Sequence, residues 1–331
     1  MLCTTISVAQ STNTDIDATK NRALDGLYGT VKKVVSKTIL YNERERLNED
    51  TLRIEEEVYS KQGLKLTMKL WEIGDIDSTT EAYIHDNKGK LTRKILSMGS
   101  DTTVTYEAKR SATGRLLEET LAEAEYDPPL KQYYKYNKSG LLSKSLTYTL
   151  KSSTLVSSKT FLYNKNHTLI SVRYLDENNR LWREEKYLYE PKKVSKEITV
   201  THTGEPLKEF EVDEFSNEDL LVKQSKRDDQ GKLLSEKIIS YYANRLKKQE
   251  IEIYPDDPAQ FKIIYSYDNL ENITKIITES KDKSSITEET YQYKFDKKNN
   301  WVEEKMVTCK TEMLTRACKP SSRTVREIVY Y

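Results

Sequence analysis

The chain lacks a long hydrophobic run and lacks an excess of charge of either sign. None of its apolar segments approaches the length of about 18 residues that a transmembrane helix requires. Lysine and arginine total 54, against 53 aspartate and glutamate residues. Binding to nucleic acid or to an anionic membrane surface needs a basic excess. The sequence therefore predicts no transmembrane span and argues against nucleic acid as a partner.

Large apolar side chains are also scarce. The chain has five Phe and three Trp, its hydrophobic fraction is 36%, and charged residues make up 32%. This composition is too polar for a thick globular core, but it suits a thin or curved sheet with a large solvated surface. Tyrosine, isoleucine, valine and leucine are nevertheless spread regularly along the chain, and this distribution excludes a disordered protein.

Recognisable catalytic motifs are missing as well. The sequence has no glycine-rich nucleotide loop and no GxSxG elbow, and its three histidines lack metal-ligand spacing. Carboxylates are abundant, but no pair stands out as the two groups that a glycoside hydrolase needs. We therefore predict that the protein is not an enzyme, and that it uses no cofactor and no metal.

The sequence does contain a short repeated phrase. An aromatic residue is followed by Asp or Asn, two or three polar residues, Gly or Asn, and an aliphatic residue or Trp; clear copies are residues 136–141, 267–273 and 295–301. Aspartate and asparagine cap turns through their side chains, and glycine or asparagine tolerates positive φ. The leading aromatics are mostly about 23 to 30 residues apart, which leaves room for two strands and two turns.

Between the phrases, apolar residues alternate with polar ones. Val194, Ile198 and Val200 share one face of a segment whose other face carries Ser195 and Glu197. This period is typical of a β-strand, and short turns make consecutive strands antiparallel. The sequence predicts an all-β fold, an elongated antiparallel meander of repeated β-hairpins that forms a curved or spiralling sheet.

The phrase runs through most of the chain, so we predict one β-repeat domain over residues 31–331. Residues 10–30 form a lead-in, with a short helix as an option at residues 15–24. The segment 116–125 is ambiguous between strand and helix. Exposed end strands of such a meander would allow dimerisation through an edge or the addition of a partner's strand.

The first residues and the cysteines bear on the compartment. Residues 1–9 end in Ser-Val-Ala and resemble the tail of a signal peptide whose basic region and most of whose apolar core are missing. The alternative is an ordinary cytosolic N-terminus. Cys309 and Cys318 lie on the last predicted hairpin and fit one disulfide, although two free thiols remain the alternative. We expect export to the periplasm, the outer membrane or the cell surface.

The phrase resembles the YD repeat of the Rhs family, Tyr-x-Tyr-Asp-x-x-Gly-Arg-Leu. The matching segments are residues 265–268, 291–296, 114–116 and 179–181. The last copy and the C-terminal residues 326–331 are similar to the ending of uncharacterised exported Bacteroidetes proteins. The resemblance implies an extended, spiralling β-sheet, which in large members encloses a toxin or belongs to an adhesion molecule. Carbohydrate binding is also attributed to the repeat, and no catalytic residues are implied.

Clustered tyrosines are the candidate binding residues: Tyr133, Tyr134, Tyr136, Tyr187 and Tyr189. They could stack on a sugar or form a protein interface, or they could simply pack across strands. The leading hypothesis is an exported, non-enzymatic binding or scaffold module of the cell envelope with a protein or glycan partner. The alternatives are an Rhs-type toxin-delivery or adhesion component and a carbohydrate-active enzyme on a β-repeat scaffold.

Overall fold

The structure, a computed structural model, describes residues 27–41, 51–72, 78–122, 128–201, 206–256, 260–312 and 315–331. Within these ranges the chain forms 22 β-strands, and no helix in them is long and apolar enough to cross a membrane. The strands are β1 Val31–Leu40, β2 Thr51–Tyr59, β3 Lys65–Glu72, β4 Thr79–His85, β5 Leu91–Met98, β6 Asp101–Arg110, β7 Leu116–Leu121, β8 Leu130–Tyr136, β9 Leu142–Thr149, β10 Leu155–Tyr163, β11 Leu169–Asp176, β12 Leu181–Glu190, β13 Lys193–Val200, β14 Leu207–Phe215, β15 Leu221–Asp228, β16 Leu233–Tyr241, β17 Lys247–Ile253, β18 Phe261–Tyr267, β19 Ile273–Ser280, β20 Ser285–Phe295, β21 Trp301–Glu312 and β22 Thr315–Tyr330.

Each strand pairs antiparallel with the next one in the sequence, so the predicted all-β meander of hairpins is confirmed. The ambiguous segment that begins at Leu116 forms strand β7 as far as Leu121. The helix option at residues 15–24 and the predicted signal remnant at residues 1–9 lie outside the described residues.

The sheet closes on itself. β1 pairs with β2 on one side and with β22 on the other, where Val34 lies opposite Ile328 and Leu40 lies opposite Ser322. Along this paired length the two terminal strands cover each other's main-chain groups. The prediction of an edge-strand dimer, or of strand addition at an open end of the meander, is therefore wrong for these strands.

The repeated phrase forms the predicted turns. In the copy at residues 296–300, Asp296 Oδ1 accepts the N–H groups of Lys298 and Asn300 at 2.8 and 3.0 Å, and Asn299 has a φ of 64°. The same bonds recur around Asp86, Asn164, Asp176, Asp228 and Asp268. The acidic or amide side chain therefore satisfies two backbone donors, while the residue three positions after it takes the left-handed conformation.

A tyrosine at or near the end of a strand ties that strand to the preceding one in four places. Its hydroxyl donates to the carbonyl oxygen of the residue that begins the preceding strand, at 2.8 to 2.9 Å: Tyr136 to Leu116, Tyr163 to Leu142, Tyr241 to Leu221 and Tyr293 to Ile273. The bond needs a donor of fixed length at the same place in each repeat, so it accounts for the regular spacing of these tyrosines.

Replacing Tyr241 with phenylalanine is expected to lower the free energy of unfolding by about 1 kcal/mol, because it removes one half-buried hydrogen bond and leaves the ring in place. Tyr254→Phe is the matched control, since Tyr254 is exposed and has no hydrogen bond to a described residue. Urea titration followed by tryptophan fluorescence measures both variants. If Tyr241→Phe and Tyr254→Phe have the same free energy of unfolding, the hydrogen bond from Tyr241 to Leu221 contributes nothing to stability.

Alternation along the strands gives the closed sheet two different faces. Side chains crowd together on the concave face of a closed sheet, so we assign as the inner face the one that holds most of the buried side chains, including Tyr134, Val172, Glu185, Ile198 and Glu250. A closed sheet of about eight strands is already filled by its own side chains, and wider ones enclose a space. The hydrophobic clusters accordingly join neighbouring strands around the ring.

The closing seam contains one of these clusters. Leu27, Val31, Val34 and Tyr59 are buried together, with Ile328 and Tyr330 packed against them. The last residue takes part as well, because the Tyr331 hydroxyl donates to the carbonyl of Tyr59 and its N–H donates to the carbonyl of Thr30. The two ends of the described chain are thus held by both apolar packing and hydrogen bonds.

Candidate functional site

The structure divides the five candidate tyrosines between the two faces of the sheet. Tyr134 and Tyr136 on β8 point to the inner face, as do Tyr187 and Tyr189 on β12, whose rings stack at 6.5 Å. Tyr133 points to the outer face, opposite Leu146 of β9. The five tyrosines therefore do not form one aromatic surface, because neighbours along a strand face opposite ways.

The inner tyrosines use their hydroxyls within the sheet. Tyr134 is buried and donates to the carboxylate of Glu119, while Tyr136 donates to the carbonyl of Leu116 at 2.8 Å. Burial, together with the charge of Glu119, raises the pKa of Tyr134 well above its ordinary value. The hydroxyl therefore remains a neutral donor at physiological pH.

A recurring Glu-x-Tyr pattern explains why carboxylates tolerate the inner face. Residues two apart on a strand share a face, and the tyrosine hydroxyl donates to the glutamate two residues before it. The pairs with distances of 2.5 to 3.0 Å are Glu57 with Tyr59, Glu185 with Tyr187 and Glu289 with Tyr291. This motif was not among the predictions from the sequence, although the two-residue spacing of Glu and Tyr could have indicated it.

Glu185 is the most heavily bonded of these carboxylates. It accepts from Arg183 at 2.6 and 3.0 Å, from Tyr187 at 2.5 Å and from Tyr174 at 3.2 Å. Burial disfavours its charge, but the hydrogen bonds of Tyr187 and Arg183 outweigh burial and hold the pKa of the carboxyl below its usual value. Glu185 therefore stays ionised and serves as a structural acceptor.

The outer face has a depression of about 360 Å³ along β8 and β9. Tyr133 and Tyr148 form its aromatic part, with ring centres 5.6 Å apart and planes at 83°. The remaining lining residues are Lys131, Lys135, Leu146, Thr149 and Ser153. The depression combines apolar rings, ammonium groups and hydroxyls, which are the groups that orient a polar ligand.

The side chain of Lys131 forms part of the wall of this depression. Its ammonium lies 2.9 Å from Glu118 and 5.1 Å from the centre of the Tyr133 ring. The Glu118 carboxylate also forms an ion pair with the ammonium group of Lys109, at 3.0 Å. The hydrogen bond from Lys131 keeps the pKa of Glu118 below its usual value, and Glu118 in turn raises the pKa of Lys131. Glu118 and Lys131 are therefore both charged at neutral pH.

Lys135 lies directly opposite Lys144, at the β8–β9 pair that also carries Tyr133. Neither ammonium group has a carboxylate partner among the described residues. Like charges directly opposite each other destabilise an antiparallel pair. Elsewhere Lys305 and Arg323 are also opposite each other, but both contact Glu303, at 3.6 and 3.0 Å. The surface beside Tyr133 thus has a local surplus of positive charge.

Cys309 and Cys318 lie opposite each other on β21 and β22 and form a disulfide, with their Cα atoms 4.0 Å apart. The bond is far along the ring from the depression on β8 and β9. In the part of the chain that the structure describes, no three metal-ligating side chains come together.

Comparisons with known proteins do not assign this chain to a family. No protein-family model matches the chain, and no protein of curated function matches it. Among solved structures, a Photorhabdus luminescens Tc holotoxin pore is 13% identical with a TM-score of 0.44, over 87% of this chain and 17% of that one. The TcdB2–TccC3–Cdc42 complex is 12% identical with a TM-score of 0.45, over 87% and 16%.

A porin-like protein from Bacteroides uniformis is 10% identical with a TM-score of 0.30, over 91% of this chain and 99% of that one. The chain spans about a sixth of the length of the two toxin chains it matches. At these identities and scores the comparisons carry no argument about activity, so the candidate site rests on its own geometry.

Proposed function

We propose that the protein is an exported, non-enzymatic binding module of the cell envelope, and that it binds its partner on the outer face of the closed sheet. The observation that carries the proposal is the depression on β8 and β9, where Tyr133 and Tyr148 lie beside lysines that lack carboxylate partners. Outside this place, cross-strand lysines such as Lys223 and Lys275 face glutamates.

The closed sheet supports a binding role through rigidity. β8 pairs with β9 along its length and with β7 over residues 130–133, and β9 also pairs with β10 over residues 144–148, so a partner meets mainly side chains on a fixed surface. Binding surfaces that are already in place avoid much of the entropy cost of association. A ligand would therefore be recognised by rings, charges and hydroxyls.

A pull-down from the native envelope tests this function. The tagged protein is cross-linked mildly, and the recovered partners, whether proteins or glycans, are identified by mass spectrometry and sugar analysis. Tyr133→Ala is expected to lose the partner that the unaltered protein recovers, while Tyr254→Ala, at an exposed tyrosine that does not line the depression, retains it. Recovery of the same partner by both variants would contradict binding at the depression.

A further inference from the structure

We propose that the depression on β8 and β9 binds an acidic polysaccharide, a chain of sugars that carry carboxylate groups. The inference rests on the proposed function, since it names the ligand class of the same surface. It begins with Lys135 and Lys144, which lie opposite each other without a carboxylate among the described residues. An anion placed between two such ammonium groups relieves their repulsion.

The charges on the surrounding surface also favour an anionic ligand. Lys109 and Lys131 share the single carboxylate of Glu118, at 3.0 and 2.9 Å. The outer face next to Tyr133 therefore presents four ammonium groups, from Lys109, Lys131, Lys135 and Lys144, and among the described residues Glu118 is the one carboxylate that contacts any of them. Because the whole chain is close to neutral, this surplus is local and is complementary to an anionic ligand.

The aromatic groups favour sugar rings as the carrier of that charge. Tyr133 and Tyr148 are half-buried, so their rings are held by the sheet and still offer apolar area with a polar tip. Thr149 and Ser153 add hydroxyls to the lining of the depression. A sugar chain needs this combination, because it presents both C–H faces and hydroxyl groups along its length.

An acidic peptide fits the surface less well. A peptide that binds a sheet in extended form gains much of its affinity from main-chain hydrogen bonds at a strand edge. β8 is paired with β7 and β9, and β9 is paired with β8 and β10, so neither strand offers such an edge. A polysaccharide does not need those groups.

Binding to polygalacturonate tests the assignment, with its fully methyl-esterified form as the uncharged ligand of the same backbone and poly-glutamate as the charged ligand without sugar. Affinity is measured by isothermal titration calorimetry at low and high salt. We expect the purified protein to bind polygalacturonate, to bind the ester and poly-glutamate at least about tenfold more weakly, and to lose affinity as salt screens the charges. Equal binding of the ester or of poly-glutamate, or no binding of polygalacturonate, overturns the proposal.

The variant Lys144→Glu is expected to change the affinity for polygalacturonate and the stability of the free protein in opposite directions. The substitution places a glutamate opposite Lys135, so the free protein should become slightly more stable while its affinity for polygalacturonate falls at least about tenfold. Lys37→Glu is the control: it makes the same change of charge at an exposed lysine on β1 and should leave affinity roughly unchanged.

Equal losses in the two lysine variants would mean that only net charge matters, and the site would be wrong. A different outcome separates this inference from the proposed function. If the Tyr133-dependent pull-down recovers a protein partner while polygalacturonate does not bind, the binding module stands and its polysaccharide ligand does not.

Discussion

Replacing Asn300 with alanine is expected to destabilise the protein by about 2–3 kcal/mol, because its amide joins three parts of the chain at the closing seam. Asn300 is fully buried; its Nδ2 donates to the carbonyl of Tyr28 at 2.9 Å and to the hydroxyl of Tyr330 at 2.6 Å. Its Oδ1 accepts the N–H of Tyr28 at 2.5 Å. Alanine leaves these groups without their partner. Urea unfolding at neutral pH measures the loss.

Asn272→Ala is the matched control for this seam. Asn272 occupies the same place in the neighbouring phrase, but among the described residues its amide contacts only Asp268 of its own turn, at 3.0 and 3.1 Å. We expect a cost of at most about 1 kcal/mol there. If both variants lose the same stability, the asparagine acts through its turn alone, and the proposed role of Asn300 in closing the sheet is wrong.

Replacing Glu185 with alanine is expected to lower the free energy of unfolding by about 3 kcal/mol, because the change leaves the donors around this carboxylate without their acceptor. Arg183, Tyr174 and Tyr187 all direct donors at this carboxylate. Without it, a guanidinium and two hydroxyls on the inner face lose their acceptor. Thermal and urea unfolding of the variant give the loss in free energy.

Glu184→Ala is the control on the same strand and the opposite face. Glu184 contacts Arg173 at 2.8 Å, and Arg173 is half exposed, so the expected cost is about 0.5 kcal/mol. A loss at Glu184 as large as the loss at Glu185 would contradict a special role for the inner network.

The pH dependence of the Glu185 effect has a defined sign. The pKa of Glu185 is lower in the folded protein than its ordinary value, so its contribution is present above the unfolded pKa of about 4.3. That contribution is lost as the pH falls through the folded pKa. The difference in stability between Glu185→Gln and the unaltered protein should therefore narrow below about pH 4.

The hairpins could be predicted from the sequence because their chemistry is local. Asp296, Lys298 and Asn300 lie within five residues, and the turn they form depends on bonds among themselves. The closure could not be predicted in this way. It pairs Val34 with Ile328 and joins Tyr28 to Asn300, across almost the whole chain, and no local pattern indicates which strand meets β1.

The candidate site was predictable only in part for a similar reason. The clustering of tyrosines in the sequence identified Tyr133, but its face depends on strand register, and one residue of shift would exchange it with Tyr134. Lys135 and Lys144 are unremarkable in the sequence, since their repulsion appears only when β8 and β9 are paired. Tyr148 was missed because it enters the depression from the neighbouring strand.

The pairing of β1 with β22 closes the sheet and removes its open ends, so a cross-link between these two strands tests the closure directly. Thr38 and Thr324 lie opposite each other across this pair, with their hydroxyl oxygens 3.0 Å apart. The variant Thr38→Cys/Thr324→Cys, with Cys3→Ser to remove the remaining thiol, is oxidised mildly and examined by mass spectrometry and non-reducing electrophoresis. We expect a monomer with a cross-link between residues 38 and 324. Free thiols at both positions, or cross-links only between molecules, would show that the sheet is open.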